Sequence, residues 1–72
     1  MKNKRLKIAR AELDMTQGDL AEAVGVTRQT ILAIENGDYN PALSLCIKIC
    51  KATGRTLNDL FWEDENDEEQ GR

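Results

Sequence analysis

The sequence predicts an all-α fold, a compact five-helix bundle, and three observations point to it. Apolar residues recur at three- and four-residue spacing in short blocks, the signature of helices with one buried face. The blocks are punctuated by helix-end residues: Thr16, Thr27 and Thr56 suit starts, and Gly25, Gly37 and Gly54 suit stops. No segment shows the strict apolar/polar alternation of a half-buried strand.

The elements follow in order. The first helix covers 3–13, with Leu6, Ile8, Ala9 and Leu13 as its apolar positions. Asp14-Met15 links it to the second helix, 17–24, which turns Leu20, Ala21 and Val24 inward. Thr16 is its N-cap, and Asp19 three residues on approximates a capping box, with Asp for the usual Glu. Gly18 is a weak helix former, though it sits in the first turn, where glycine costs less. Gly25 falls where the chain must turn and where a positive φ costs glycine little. Thr27 caps the third helix, 28–36, with Ile31 and Ile34 facing the core. Ala21 is small enough for that helix to cross close to the second. Asn36-Gly37 ends it, and Asp38 to Pro41 form a loop. The fourth helix, 42–53, carries Leu43, Cys46, Ile49 and Cys50 on one face and Leu45, Ile47 and Ala52 beside them. Apolar around much of its girth, it is expected at the centre of the bundle. Thr56 and Asp59 open a short fifth helix, 57–61, whose apolar residues are Leu57, Leu60 and Phe61.

Composition narrows the function. Seventy-two residues make one domain with a small core, which a dimer would help to stabilise. No apolar stretch is long enough to span a bilayer and no signal-like segment follows the basic N-terminus, so a cytoplasmic location is expected. Cys46 and Cys50 stand four apart in a helix with no histidine in the chain to complete a common zinc set. They read as small core residues, with a redox role as the alternative. An enzyme is not expected: without histidine and with Ser44 as the only serine, no triad can be assembled. No cofactor, metal or small-molecule ligand is expected either. The net charge of −3 divides unevenly. Residues 1–62 hold nine Lys/Arg against seven Asp/Glu, whereas residues 63–72 hold six acids and one Arg. The first part is the expected folded domain and the second an acidic disordered tail. That tail is a solubilising end, a competitor for the basic surface, or a contact for a partner protein.

The run from Thr16 to Gly37, TQGDLAEAVGVTRQTILAIENG, describes two short helices meeting at a Gly-containing turn. Such a pair is a helix-turn-helix, whose second helix is built to enter the DNA major groove. With YNPALSLCIKICKATGRTLNDLF it resembles the Cro/lambda-repressor-like (XRE-type) helix-turn-helix proteins in their small single-domain form, over about residues 3–61. The resemblance implies a lambda-repressor-like DNA-binding domain in five helices. It also implies a homodimer on a near-palindromic operator and, often, repression of transcription. An antitoxin or protein-interaction module on the same fold is the alternative. The chain departs from the family pattern at Gly18, at Ala42, where Ser or Thr often opens the fourth helix, and at Cys46 and Cys50, which stand where Ala is common.

Candidate roles follow. On the third helix the face opposite Ile31 and Ile34 carries Arg28, Gln29, Leu32 and Ala33. Arg28 and Gln29 lie in the first turn, which reaches base edges. Arg can bond guanine O6 and N7 together, and Gln can bond adenine N6 and N7. Leu32 and Ala33 are the candidates for thymine methyls. Gln17 begins the second helix, whose N-terminus attracts phosphate. In similar proteins this Gln bonds a phosphate and braces the Gln at the position of Gln29. Thr27, Thr30, Asn36 and Tyr39 complete the expected phosphate contacts. Arg10 reads as a phosphate contact or as the partner of Glu35; in similar proteins the two form a partly buried ion pair. Leu57, Leu60, Phe61 and Trp62 offer more apolar surface than one helical turn needs, and are the expected dimer interface.

Overall fold

The computed structural model describes residues 3–61, and among them the chain forms five α-helices and no strand. They are α1 (Lys4–Glu12), α2 (Gln17–Val24), α3 (Arg28–Asn36), α4 (Leu43–Thr53) and α5 (Leu57–Leu60). Trp62 and the acidic residues 63–72 lie outside the described residues. Among the described residues, no helix is long and apolar enough to cross a membrane.

The helix ends share one chemistry. Val26 N–H donates to Ala21 O at 2.9 Å and Gly25 N–H to Glu22 O at 3.3 Å, with Gly25 at φ 78°. Asp38 N–H donates to Ala33 O at 2.8 Å and Gly37 N–H to Ile34 O at 3.1 Å. These crossed pairs satisfy carbonyls that a helix otherwise leaves unpaired. The end of α1 uses the same device without glycine: Met15 N–H reaches Arg10 O at 2.9 Å, Asp14 N–H reaches Ala11 O at 3.1 Å, and Asp14 takes φ 55°. Aspartate tolerates this region better than most residues because its short side chain bonds locally. At the other ends, Thr16 and Thr56 each close a capping box, with Asp19 and Asp59 returning to the cap N–H. The Thr16 backbone N–H, with its hydroxyl, holds the Asp19 carboxyl below its usual range; Thr56 does the same for Asp59.

Leu6, Leu20, Ile31 and Ile49 are fully buried at the junction of α1, α2, α3 and α4, with Leu60 closing the core from α5. Burial of each large side chain contributes roughly 1.5–3 kcal/mol. Three expectations are corrected. Ile8 and Leu13 are about half exposed, 56% and 49%, because α1 turns only Leu6 and Ala9 onto the core. Helix α4 is not enclosed on all sides: it packs on α2 and α5 through Cys46, Ile49, Cys50 and Thr53, and leaves Leu43 and Ile47 in solvent. Asn3 precedes α1 as its N-cap instead of joining it, since its Oδ1 accepts from Leu6 N–H at 3.0 Å. The same side chain donates from Nδ2 to Leu60 O at 2.9 Å, and the Asn3 backbone N–H donates to Glu35 O at 2.8 Å. One residue thereby joins α1, α3 and α5. Cys46 and Cys50 are free, buried thiols, and burial pushes both thiols up toward the protonated form.

Candidate nucleic-acid interface

Helix α3 has two unlike sides. Inward it buries Ile31, Ile34 and Glu35. Outward it exposes Gln29, Leu32 and Asn36, with Ala33 half-buried between them. The side chains of Gln29 and Asn36 make no hydrogen bond to another described residue. Arg28 is also exposed, but lies on a flank instead of directly opposite the core. It stands seven residues before Glu35, and at 3.6 residues per turn the two share one side of the helix.

That flank borders a shallow cleft lined by Arg10, Asp14, Met15, Thr16, Gln17, Gly18 and Arg28. The cleft sits against the N-terminus of α2, where free backbone N–H groups and the helix dipole favour an anion. Arg10 and Arg28 line it with Asp14, and of the two arginines Arg10 is already paired with Glu35. Gln17 and Arg28, expected to serve phosphate and base respectively, therefore meet at one place.

Among the other expected phosphate contacts, Thr27 and Thr30 have local work. Thr27 Oγ1 accepts from Thr30 N–H at 3.2 Å, and the two hydroxyls share a hydrogen bond of 3.0 Å. The cap of α3 uses a lone pair of Thr27 Oγ1, and the bond between the hydroxyls uses one of their two protons. Asn36 and Tyr39 are exposed on either side of the Gly37 turn.

Arg10 and Glu35 form a bidentate pair. Arg10 Nε donates to Glu35 Oε2 at 2.6 Å and Nη2 to Oε1 at 3.1 Å, and their side chains are 11% and 5% exposed. Arg10 Nη1 donates to Met15 O at 2.9 Å, so the guanidinium also fixes the link into α2. A third donor to the carboxylate was missed by sequence reasoning: Gln17 Nε2 reaches Glu35 Oε1 at 3.0 Å. The signal for it is chemical. A buried carboxylate has more lone pairs than Arg10 fills, and Gln17 opens the helix that follows the turn which Arg10 secures through Met15 O.

At the expected dimer surface, Leu60 is taken up by the chain's own core at 3% exposure and has no side chain to offer a partner. Phe61 is half-buried against the core, Leu57 is exposed, and Trp62 is outside the described residues. The described residues hold no group of three or more His, Cys, Asp or Glu placed to bind a metal ion.

Known proteins share the fold that carries these residues. The chain matches the model of the Helix-turn-helix family over residues 6–60. It is 55% identical over 67 residues to YgzD of Bacillus subtilis, an uncharacterized HTH-type transcriptional regulator, covering 92% of this chain and 100% of that one. It is 53% identical over 66 residues to the uncharacterized HTH-type transcriptional regulator MJ0272 of Methanocaldococcus jannaschii, covering 90% and 98%. Among solved structures it is similar to the restriction-modification controller protein C.AhdI of Aeromonas hydrophila. The TM-score there is 0.75 at 28% identity, covering 81% of this chain and 84% of that one. A helix-turn-helix made by α2 and α3, in a chain matched along most of its length to regulators of transcription, places it in the helix-turn-helix family of transcriptional regulators.

Proposed function

We propose that the protein is a sequence-specific DNA-binding repressor that acts in the cytoplasm as a homodimer on a near-palindromic operator. Helix α3 enters the major groove. Gln29 reads base edges, with Leu32 and Ala33 against thymine methyls, and Arg28 reaches either a base or the phosphate held at the cleft. Gln17, Thr27, Thr30, Asn36 and Tyr39 contact the backbone. The observation that carries this reading is the outer side of α3. Gln29 and Asn36 are exposed and unbonded within the described residues, so the fold has no use for them. A Gln in the first turn of such a helix is suited to adenine N6 and N7.

Dimerisation is assigned to the end of α5, through Leu57, Phe61 and Trp62. A two-fold pair would set two α3 helices roughly 34 Å apart, one turn of DNA. Such a pair represses by occupying a promoter.

Selection of bound duplexes from random sequence tests the reading as a whole. The expected result is an enriched site with two related halves about one turn apart, bound less tightly as salt rises because phosphate contacts release counterions. Failure to enrich any sequence would overturn it. Sedimentation showing only monomer at high micromolar concentration would remove the dimer while leaving DNA binding standing.

A further inference from the structure

The Glu35 carboxylate is shared between a stabilising pair and a residue of the DNA-facing cleft. Its Oε2 is taken by Arg10 Nε; its Oε1 accepts from both Arg10 Nη2 at 3.1 Å and Gln17 Nε2 at 3.0 Å. A carboxylate can only accept, so the bond fixes which end of the Gln17 amide faces inward. The nitrogen turns to Glu35, which leaves Gln17 with its Oε1 and one N–H to present at the first turn of α2. Gln17 lines the same cleft as Gly18 and Arg28.

We propose that Glu35 is a positioning residue for DNA recognition: through Gln17 it holds one amide orientation at the N-terminus of α2. The inference rests on the DNA-binding reading above. Glutamine is rich in rotamers, and immobilising such a side chain on binding costs about 0.5–1.5 kcal/mol, or roughly 2- to 12-fold in affinity. Glu35 meets that cost during folding, before DNA arrives. The buried pair thereby acts on recognition as well as on stability. Arg10 has a supporting part, since its two bonds hold the carboxylate toward Gln17 and its third secures the Met15 carbonyl two residues before Gln17.

The test is a double-mutant cycle on DNA affinity, using the duplex that the wild-type chain selects from random sequence. Gln17→Ala, Glu35→Gln and the double variant are measured at a temperature where circular dichroism shows each folded. In Glu35→Gln one oxygen becomes an amide nitrogen: turned toward Gln17 it opposes that NH2, and turned toward Arg10 Nε it releases the guanidinium that holds the group toward Gln17. Gln17→Ala is expected to weaken binding more in the wild-type background than in the Glu35→Gln background, the two losses differing by roughly 2- to 12-fold. Equal losses in the two backgrounds would overturn the proposal, because a purely structural Glu35 leaves the contribution of Gln17 unchanged.

A second measurement needs no variant. In NMR of the wild-type protein, the side-chain NH2 of Gln17 is expected to show one proton shifted away from the exposed-amide position, slow hydrogen exchange and a contact to the Arg10 guanidinium. The exposed NH2 of Gln29 is the internal reference. Gln17 NH2 shifts and hydrogen-exchange rates equal to those of Gln29 would overturn the proposal even if Glu35→Gln does not fold. If the wild-type chain selects no duplex, the DNA-binding reading itself fails; if it selects one and the cycle shows no coupling, only the role of Glu35 fails.

Discussion

The two sides of α3 are built for opposite ends. The inner side spends its residues on the fold: Ile31 and Ile34 fill the core, and Glu35 meets three side-chain donors. The outer side spends nothing on it: Gln29, Leu32 and Asn36 face solvent with no bond to the described residues. Nine residues thus carry two independent requirements at one helical period. A substitution on one side is expected to change stability with little effect on the affinity of folded protein, and one on the other side the reverse. Glu35 is the exception, because its carboxylate faces inward yet holds Gln17 in the cleft.

The largest expected effect breaks the inner side. Glu35→Ala leaves the Arg10 guanidinium buried without its counter-charge, which costs about 3–5 kcal/mol. Against the stability of roughly 5–15 kcal/mol typical of such domains, this is a large fraction. The fall in Tm should be tens of degrees, at about 4–8 °C per kcal/mol for a domain of this size. Gln29→Ala should leave Tm unchanged and weaken the selected duplex by about 1–3 kcal/mol, with relaxed preference at one base pair. Equal melting temperatures for the two variants would erase the division between the sides.

Much of this was legible in the sequence, for reasons visible in particular residues. Leu20, Ala21, Val24, Ile31 and Ile34 obey one helical period and are bounded by Thr and Gly caps, so pattern and local chemistry agree. The same period misplaces Ile8, Leu43 and Ile47. A hydrophobic pattern states which residues suit a core, and a bundle this small lacks enough neighbours to cover every apolar face. Leu60 misled for the converse reason. In the short α5 a leucine has equal sequence warrant for its own core or for a partner, and only the packing of α5 against α1 and α4 decides. The need of a buried Glu35 for further donors was legible, but which residue supplies one was not, because the Gln17–Glu35 bond depends on where two elements meet, eighteen positions apart in the chain.

The ends of α2 allow a finer comparison. At its C-terminal end, Gly25 takes φ 78° and an added Cβ would meet nothing within 4 Å. The cost of Gly25→Ala is therefore backbone strain alone, about 1–2 kcal/mol. Urea unfolding should show it as a lower midpoint with unchanged slope, since nothing repacks. A loss well above that would reveal a steric clash that the geometry does not contain.

Asp19, at the opposite end, predicts a pH dependence that Asp59 shares. Both carboxyls are held below their ordinary value of 3.8 in the folded chain by their threonine caps. Their contribution is present above that ordinary value and is lost as pH falls through it toward the lowered folded value. Tm measured from pH 6 to pH 3 should fall, and Asp19→Asn with Asp59→Asn should flatten part of that fall. A slope unaffected by either substitution would show that the capping carboxylates are not what acid disrupts.

The smallest expected effect has the opposite sign. Gly18 lies in the first turn of α2 with ordinary helical φ, and a Cβ there would meet only Thr16 Oγ1, at an unstrained 3.8 Å. Gly18→Ala should stabilise by about 0.4–1 kcal/mol, mainly by restricting the unfolded chain. Gly18 also lines the cleft beside Gln17 and Arg28, and the Cβ of a helical residue leans toward the helix N-terminus. The methyl group would sit where a phosphate approaches the free N–H groups, so the variant should melt higher and bind the selected duplex more weakly. Its partner Gly25→Ala should melt lower while the folded fraction binds as before. If Gly18→Ala gained stability and affinity together, the phosphate would have to be placed elsewhere than at the first turn of α2.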